Sequence, residues 1–217
     1  MRGKLRRLST FKRLGVESRL LFLNQIKMSN VKNYTDAQIL DRVKNLPSFK
    51  GFPTKFWLAG IRSNEDAFNR FDDKFYLFKG EHFVMVCEGT TNAGTDLLKP
   101  TNKRGEAVLE ANHILYDVWE RRKHKGKVLA YCQSKPMPIC RDNDRDRKTE
   151  ELIKAVWEIT GINFHPVSYQ IGSKLQREFI GNWSLGCQCP SIRAEFDEIM
   201  NFTIGQKFMT YAILSEW

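Results

Sequence analysis

The sequence predicts a β-rich fold, all-β or α+β, in which a sheet or barrel carries a short N-terminal helical arm and a C-terminal helix. Short apolar segments separated by polar turns recur along most of the chain, and only two segments show helical spacing. The 217 residues are enough to bury a sizeable core without disulfides, and 15 Phe and 5 Trp predict an aromatic-rich interior.

The first element is a helix between residues 31 and 46. Thr35 is a typical N-cap residue, and Pro47 ends the helix. Apolar side chains recur at helical spacing at Ile39, Leu40, Val43 and Leu46. We therefore predict that residues 1–50 form a basic N-terminal arm with this short helix, and that residues 51–217 form one further domain.

Strands are predicted from residue 51 onward. Apolar runs bounded by Gly, Asn and Asp are typical of strands in a mainly antiparallel sheet. The predicted strands are 56–62, 72–80, 82–88, 106–118 (strand or extended loop), 127–133 and 208–214, and residues 162–165 form an apolar strand-like run. A final helix is predicted from about 191 to 201.

The basic charge is concentrated at the N-terminus. Residues 1–27 hold eight Lys or Arg against one Glu, which accounts for +7 of the formal net charge of +10. Three interpretations stay open: a transit peptide, an arm that contacts nucleic acid or a virion, and sequence upstream of a start at Met28. We expect cytoplasmic synthesis without a secretory signal, and no membrane span, because no apolar run reaches about 18 residues.

The cysteines predict reduced thiols. Their number is odd, at five, and no CxxC pair is present, which is typical of a cytoplasmic protein with a reactive thiol. No metal or cofactor is predicted. Asp142, Asp144 and Asp146 begin a calcium-loop pattern but lack its Gly, and residues 89–94 lack the Lys of a phosphate loop.

Residues near Cys187 have the composition of a thiol active site. A cysteine nucleophile needs a base, donors for the oxyanion and an exposed tight turn. Gly186 allows the turn, Ser184 offers a hydroxyl, and His165 ends an apolar run and is the best base candidate. Cys189 is expected to be structural and directed away from Cys187.

Residues 161–165 and 180–188 together resemble the catalytic region of the L,D-transpeptidase family. That family shows a strand ending in His, a spacer and a Ser-x-Gly-Cys turn, and the spacer here is slightly long. The resemblance implies an L,D-transpeptidase-like catalytic domain over residues 51–217. It also implies that Cys187 is the nucleophile, that His165 is the base, and that Ser184 and Gly186 shape the turn and oxyanion site.

Two departures from the family pattern affect specificity. Leu185 replaces the usual His, and Gln188 and Cys189 stand where an Arg usually follows the nucleophile. The chain is more similar to a divergent branch from bacteriophage and Bacteroidetes-like genomes, in which an Arg-Asp-Asn-Asp segment accompanies the Cys turn. The candidate substrate contacts are Trp183, Gln188, Tyr131 and Arg141, although core packing is the default expectation for Tyr131 and Trp183. His124 lies in a basic turn and is expected at the surface, with binding of an acidic substrate group as the alternative.

The predicted function is a cysteine-dependent peptidase or transpeptidase that acts on the peptide stem of peptidoglycan through a thioester. Hydrolysis is favoured, as in a phage lysin or virion-associated wall enzyme. The first alternative is a non-catalytic structural or virion protein that retains the fold. The second is a nucleic-acid-binding protein that uses its basic arm.

Overall fold

The computed structural model describes residues 29–217, so the predicted basic arm at 1–27 and the start at Met28 lie outside the described residues. The helices are α1 (Asp36–Lys44) and α2 (Arg193–Phe202), with a short 3-10 helix at Thr95–Leu98. The strands are β1 (Phe56–Arg62), β2 (Asp73–Lys79), β3 (His82–Thr90), β4 (Glu106–Leu109), β5 (His113–His124), β6 (Val128–Gln133), β7 (Met137–Asp142), β8 (Ile153–Glu158), β9 (Cys189–Pro190) and β10 (Phe208–Ser215).

The strands form two sheets. The larger has seven strands in the order β6-β5-β10-β1-β2-β3-β9 and curls into a half-barrel, and the smaller has the order β4-β7-β8. Strands β1 and β10 run parallel, whereas the other pairs are antiparallel. The predicted β-rich fold with two helices is confirmed.

Aromatic side chains fill the inner side of the larger sheet. Trp119, Tyr131, Phe164 and Tyr211 belong to one buried cluster, against which Phe196 of α2 packs. Strand β1 is buried along nearly its whole length, which explains its unbroken apolar run. Its Gly60 is required because a Cβ there would lie 2.1 Å from the Tyr211 hydroxyl.

The second core lies under α1. Thr35 and Gln38 form a capping box that starts the helix, and Ile39 and Val43 are its buried residues. These side chains share a cluster with Trp57 of β1, so the helix packs directly on the sheet. Within residues 29–217, neither α1 nor α2 is long and apolar enough to cross a membrane.

Candidate cysteine–histidine site

A short extended segment around Phe164 brings the candidate residues together. Phe164 exchanges backbone hydrogen bonds of 2.8 and 3.1 Å with Tyr131 of β6, and residues 163–165 also pair with Gln188. The side chains of Phe164 and Gln188 are buried in the core. Because side chains alternate along an extended chain, the residues on either side of Phe164 and of Gln188 point to the opposite side. These residues are Asn163, His165, Cys187 and Cys189.

His165 is held as a neutral base. Its Nδ1 lies 3.1 Å from the Pro166 carbonyl oxygen. A carbonyl can only accept, so Nδ1 carries the proton and Nε2 keeps its lone pair. Burial and, after it, the neighbouring His124 lower the pKa of His165 to about 3. The ring is therefore neutral near pH 7 and can accept a proton at Nε2.

The thiol in contact with this base belongs to Cys189. Its Sγ lies 3.3 Å from Nε2 and 3.4 Å from Nδ1 of His165, so the S–H can donate to the free Nε2. The expectation that Cys189 points away from Cys187 was wrong, because residues two apart on an extended segment share a side. Burial raises the pKa of the Cys189 thiol well above its ordinary value.

Cys187 is half-buried and is the more accessible of the two thiols. Its Sγ lies 3.4 Å from the Gly161 carbonyl oxygen and 3.5 Å from the Asn163 amide nitrogen. Burial raises the pKa of its thiol to about 11, against the opposing effects of the Asn163 amide and Lys125. Among the hydrogen bonds of residues 29–217, none joins Cys187 to His165, so the structure brings these residues to one side without pairing them.

The turn before Cys187 requires glycine. Gly186 has φ +104°, and a Cβ there would lie 2.2 Å from the Ala107 carbonyl oxygen. Ser184 is buried, and its Oγ accepts from the Gly186 amide at 3.2 Å and lies 2.8 Å from the Cys187 carbonyl oxygen. Ser184 therefore stabilises the turn, and the Gly186 amide already donates to it and is not free for an oxyanion. The Cys187 amide has no acceptor within the described part of the chain and remains an oxyanion donor candidate.

Two of the predicted substrate contacts lie in the core. Tyr131 is fully buried, and its hydroxyl donates to the Gln206 carbonyl oxygen at 3.2 Å. Gln188 accepts from the Tyr211 hydroxyl at 2.6 Å and donates to the Thr91 carbonyl oxygen at 3.2 Å. The polar groups of both residues are used inside the protein, so the structure places neither at a substrate surface.

Trp183 forms a wall of the site. Its Nε1 donates to the Pro166 carbonyl oxygen at 2.9 Å, the same oxygen that accepts from His165. The Trp183 ring centroid lies 6.4 Å from that of His165 and 4.9 Å from that of Tyr169. Trp183 is therefore close enough both to position the base and to contact a substrate.

Arg141 lines a separate groove of about 280 Å³ that reaches Leu185 and Thr160 near the Cys187 turn. Its Nη2 lies 2.5 Å from one Glu158 oxygen, while Arg104 lies 2.8 Å from the other. The Arg141 Nε is buried and has no partner. This position next to the thiol turn is compatible with the predicted role in substrate binding.

Sequence reasoning missed His124 as a member of this site. The expectation that it lies at the surface was wrong: only 4% of the residue is exposed, and its ring stacks on His165 with centroids 4.5 Å apart. Lys123 and Lys125, on either side, are exposed. Arg122, two residues before His124 on the same side of β5, is also exposed, so the run Arg121 to Lys125 carries no alternation that would have identified the inward-facing histidine.

Two groups of side chains in residues 29–217 come close enough to hold a metal ion, and neither includes a residue of this site. They are Glu110–Cys140–Glu151 and Asp144–Asp146–Glu150. Asp144 and Asp146 are exposed, in keeping with a solvated charged turn.

Comparisons with protein-family models, curated proteins and solved structures gave no match, and nothing in them identifies an L,D-transpeptidase-like domain.

Proposed function

We propose that this chain is a cysteine-dependent peptidase or transpeptidase that acts on peptide stems of the bacterial cell wall. The observation that supports it best is the neutral His165, whose Nδ1 proton is held by Pro166 and whose Nε2 faces a thiol. A buried imidazole with a free lone pair beside a cysteine is the arrangement that general-base activation of sulfur requires.

Accessibility favours Cys187 as the nucleophile. Substrate can reach a half-buried sulfur, whereas Cys189 is fully buried. As the Cys187 sulfur attacks the peptide carbonyl carbon, its proton passes to Nε2 of His165. In the resting structure that nitrogen contacts Cys189, so the contact must shift to Cys187 when substrate binds.

The rest of the cycle follows from these groups. The Cys187 amide, which has no acceptor in residues 29–217, donates to the developing oxyanion. Collapse of the tetrahedral adduct breaks the C–N bond, and the imidazolium gives its proton to the leaving amine. Water then hydrolyses the thioester, or an amine takes the acyl group. We favour hydrolysis, as in a virion-associated wall enzyme.

The groove beside the turn suits a peptide stem. Leu185 and Ile159 provide apolar surface, and the guanidinium groups of Arg104 and Arg141 lie on the same groove. Peptide stems carry free carboxylates, and a guanidinium fork matches a carboxylate with two parallel hydrogen bonds. Glu158 already bridges both arginines, so a substrate carboxylate would compete with it.

A second candidate is a structural or virion protein that retains the fold without catalysis. The observation that favours it is that burial raises the pKa of both thiols, so neither is a ready thiolate near pH 7.

The test is digestion of purified peptidoglycan by the full chain, with released and cross-linked stem peptides identified by mass spectrometry. Cys187→Ala should abolish the products, and Cys189→Ala should retain part of the activity. Cys87→Ala, which removes a buried thiol on β3, should match the wild type. Inactive wild-type protein, or equal product from Cys187→Ala and Cys87→Ala, would exclude the enzyme and leave the structural candidate.

A further inference from the structure

His124 is fixed at the end of β5 by a tight turn. The Lys127 amide donates to the His124 carbonyl oxygen at 2.9 Å, and both residues between them have positive φ, +49° at Lys125 and +71° at Gly126. The turn directs the two lysines to solvent and the imidazole inward. The His124 ring plane lies 16° from that of His165, which is a stacked arrangement.

Asn163 determines the tautomer of His124. The Gln133 amide donates to Asn163 Oδ1 at 2.8 Å, and this bond fixes the orientation of the side-chain amide. Asn163 Nδ2 then faces His124 Nδ1 at 3.3 Å. An amide NH₂ can only donate, so Nδ1 must accept and the ring proton lies on Nε2. Protonation of Nδ1 would set two donors against each other.

The second nitrogen of His124 argues against a charged ring. Nε2 is buried and has no hydrogen-bond partner. An imidazolium here would carry two N–H groups without an acceptor in a buried position. Burial and, after it, the charges of Lys125 and Arg122 oppose a positive ring and lower the pKa of His124 to about 4. The ring is therefore neutral near pH 7.

We propose that His124 is a positioning residue whose neutral ring, locked by Asn163, stacks on His165 and keeps Nε2 of His165 free to accept a proton. The His124 ring covers one face of the His165 ring, and the Pro166 carbonyl oxygen accepts a hydrogen bond from His165 Nδ1. Because a charged ring 4.5 Å away would oppose the imidazolium that forms during catalysis, a neutral neighbour also allows His165 to receive the proton. The catalytic role of His165 rests on the proposed function, whereas the tautomers and the stack do not.

Other groups lie around the histidine pair. Lys125 of the β5–β6 turn lowers the pKa of both rings, and Arg122 of β5 lowers that of His124. Cys189 and Trp183 contact His165, and the Tyr169 ring lies 6.1 Å from that of His124. Among these elements, only the β5–β6 hairpin supplies a second imidazole in contact with His165.

The experiment is a pH titration of the full chain followed by ¹⁵N NMR of the histidine rings, which distinguishes the two neutral tautomers and the imidazolium. We expect neutral His165 with its proton on Nδ1 and neutral His124 with its proton on Nε2 at pH 7. His124→Ala should raise the pKa of His165 by at least about one unit, toward its ordinary value of roughly 6.5. His124→Phe keeps a stacked ring and should leave His165 neutral.

Two further variants sharpen the test. Asn163→Asp keeps an acceptor for the Gln133 amide but offers His124 an acceptor instead of a donor, so the His124 proton should move to Nδ1. His113→Phe removes a histidine that pairs with Glu110 on the far end of β5 and should leave the His165 signals unchanged. A structural role alone would lower stability in His124→Ala without moving any tautomer.

The proposal is overturned if His124 carries its proton on Nδ1 at pH 7, or if His124→Ala leaves the His165 titration unchanged. These readouts need no substrate, so they stand even if the protein does not act on peptidoglycan. If it does act, His124→Ala should lose activity selectively below pH 7, where a protonated His165 cannot accept the thiol proton, and His124→Phe should not.

Discussion

Replacing Gly186 by alanine should destabilise the protein strongly, because two separate costs meet at this residue. At φ +104° a side chain is strained, which costs roughly 1–3 kcal/mol. The added Cβ would also lie 2.2 Å from the Ala107 carbonyl oxygen, and this neighbour is backbone that cannot rotate away. Relieving such an overlap costs roughly 1–3 kcal/mol more. The total of about 2–6 kcal/mol is a large part of the roughly 5–15 kcal/mol that stabilises a typical domain.

The chain offers a matched control at Gly172. This residue has φ +72°, and a Cβ there would meet nothing within 4 Å, so Gly172→Ala carries only the backbone cost. Urea unfolding followed by tryptophan fluorescence gives both free energies of unfolding. We expect Gly186→Ala to be less stable than Gly172→Ala by about 1–3 kcal/mol. If the two variants differ by less than about 0.5 kcal/mol, the contact with Ala107 does not constrain the turn.

Two further predictions concern titration. Since the pKa of the Cys187 thiol is raised to about 11, the rate of its alkylation by iodoacetamide should rise continuously from pH 7 to pH 10. Peptide mass spectrometry measures this rate, and a plateau below pH 8 would contradict the prediction. Burial, Glu88 and Glu198 raise the pKa of Glu195 to about 8, above its ordinary 4.5, so the folded state binds this proton more tightly than the unfolded state. The stability that this group contributes is present below pH 4.5 and is lost as pH rises through 8. The wild-type free energy of unfolding in urea should therefore fall by on the order of 1–3 kcal/mol between pH 5 and pH 8, and Glu195→Gln should not show this fall. An equal fall in both proteins would refute the prediction.

Local patterns predicted the elements whose neighbours are close in sequence. Strands β1, β2 and β3 follow one another as antiparallel neighbours or hairpins, so apolar runs and polar turns were sufficient to place them. Strand β8 was missed because it is an edge strand of the smaller sheet and is exposed along most of its length. An exposed edge strand lacks the alternation that marks a half-buried one.

At the site, too, the sequence predicted the local features and not the long-range ones. The turn at 184–187 is local, and its Ser and Gly have the bracing and conformational roles that their residue types indicate. The direction of each side chain depends instead on which face of the extended segment is buried. Phe164 and Gln188 face the core because the segment lies between β6 and residues 187–189, a long-range arrangement. That arrangement explains why Gln188 is internal and why Cys189, not Cys187, meets His165.

Two cations near the imidazole pair, Lys127 and Arg177, pack on aromatic rings of the site. Lys127 lies 4.9 Å from the Tyr169 ring centroid, and Arg177 lies 4.5 Å from that of Trp183. Such cation–π contacts hold positive charge at the rim, where it can attract an acidic peptide. Lys125 lowers the pKa of both thiols and Arg177 lowers that of Cys189, but burial is the largest effect on each thiol and raises both pKa values. The resting site is therefore a neutral thiol beside a neutral imidazole, and any attack by sulfur must transfer its proton during the chemical step.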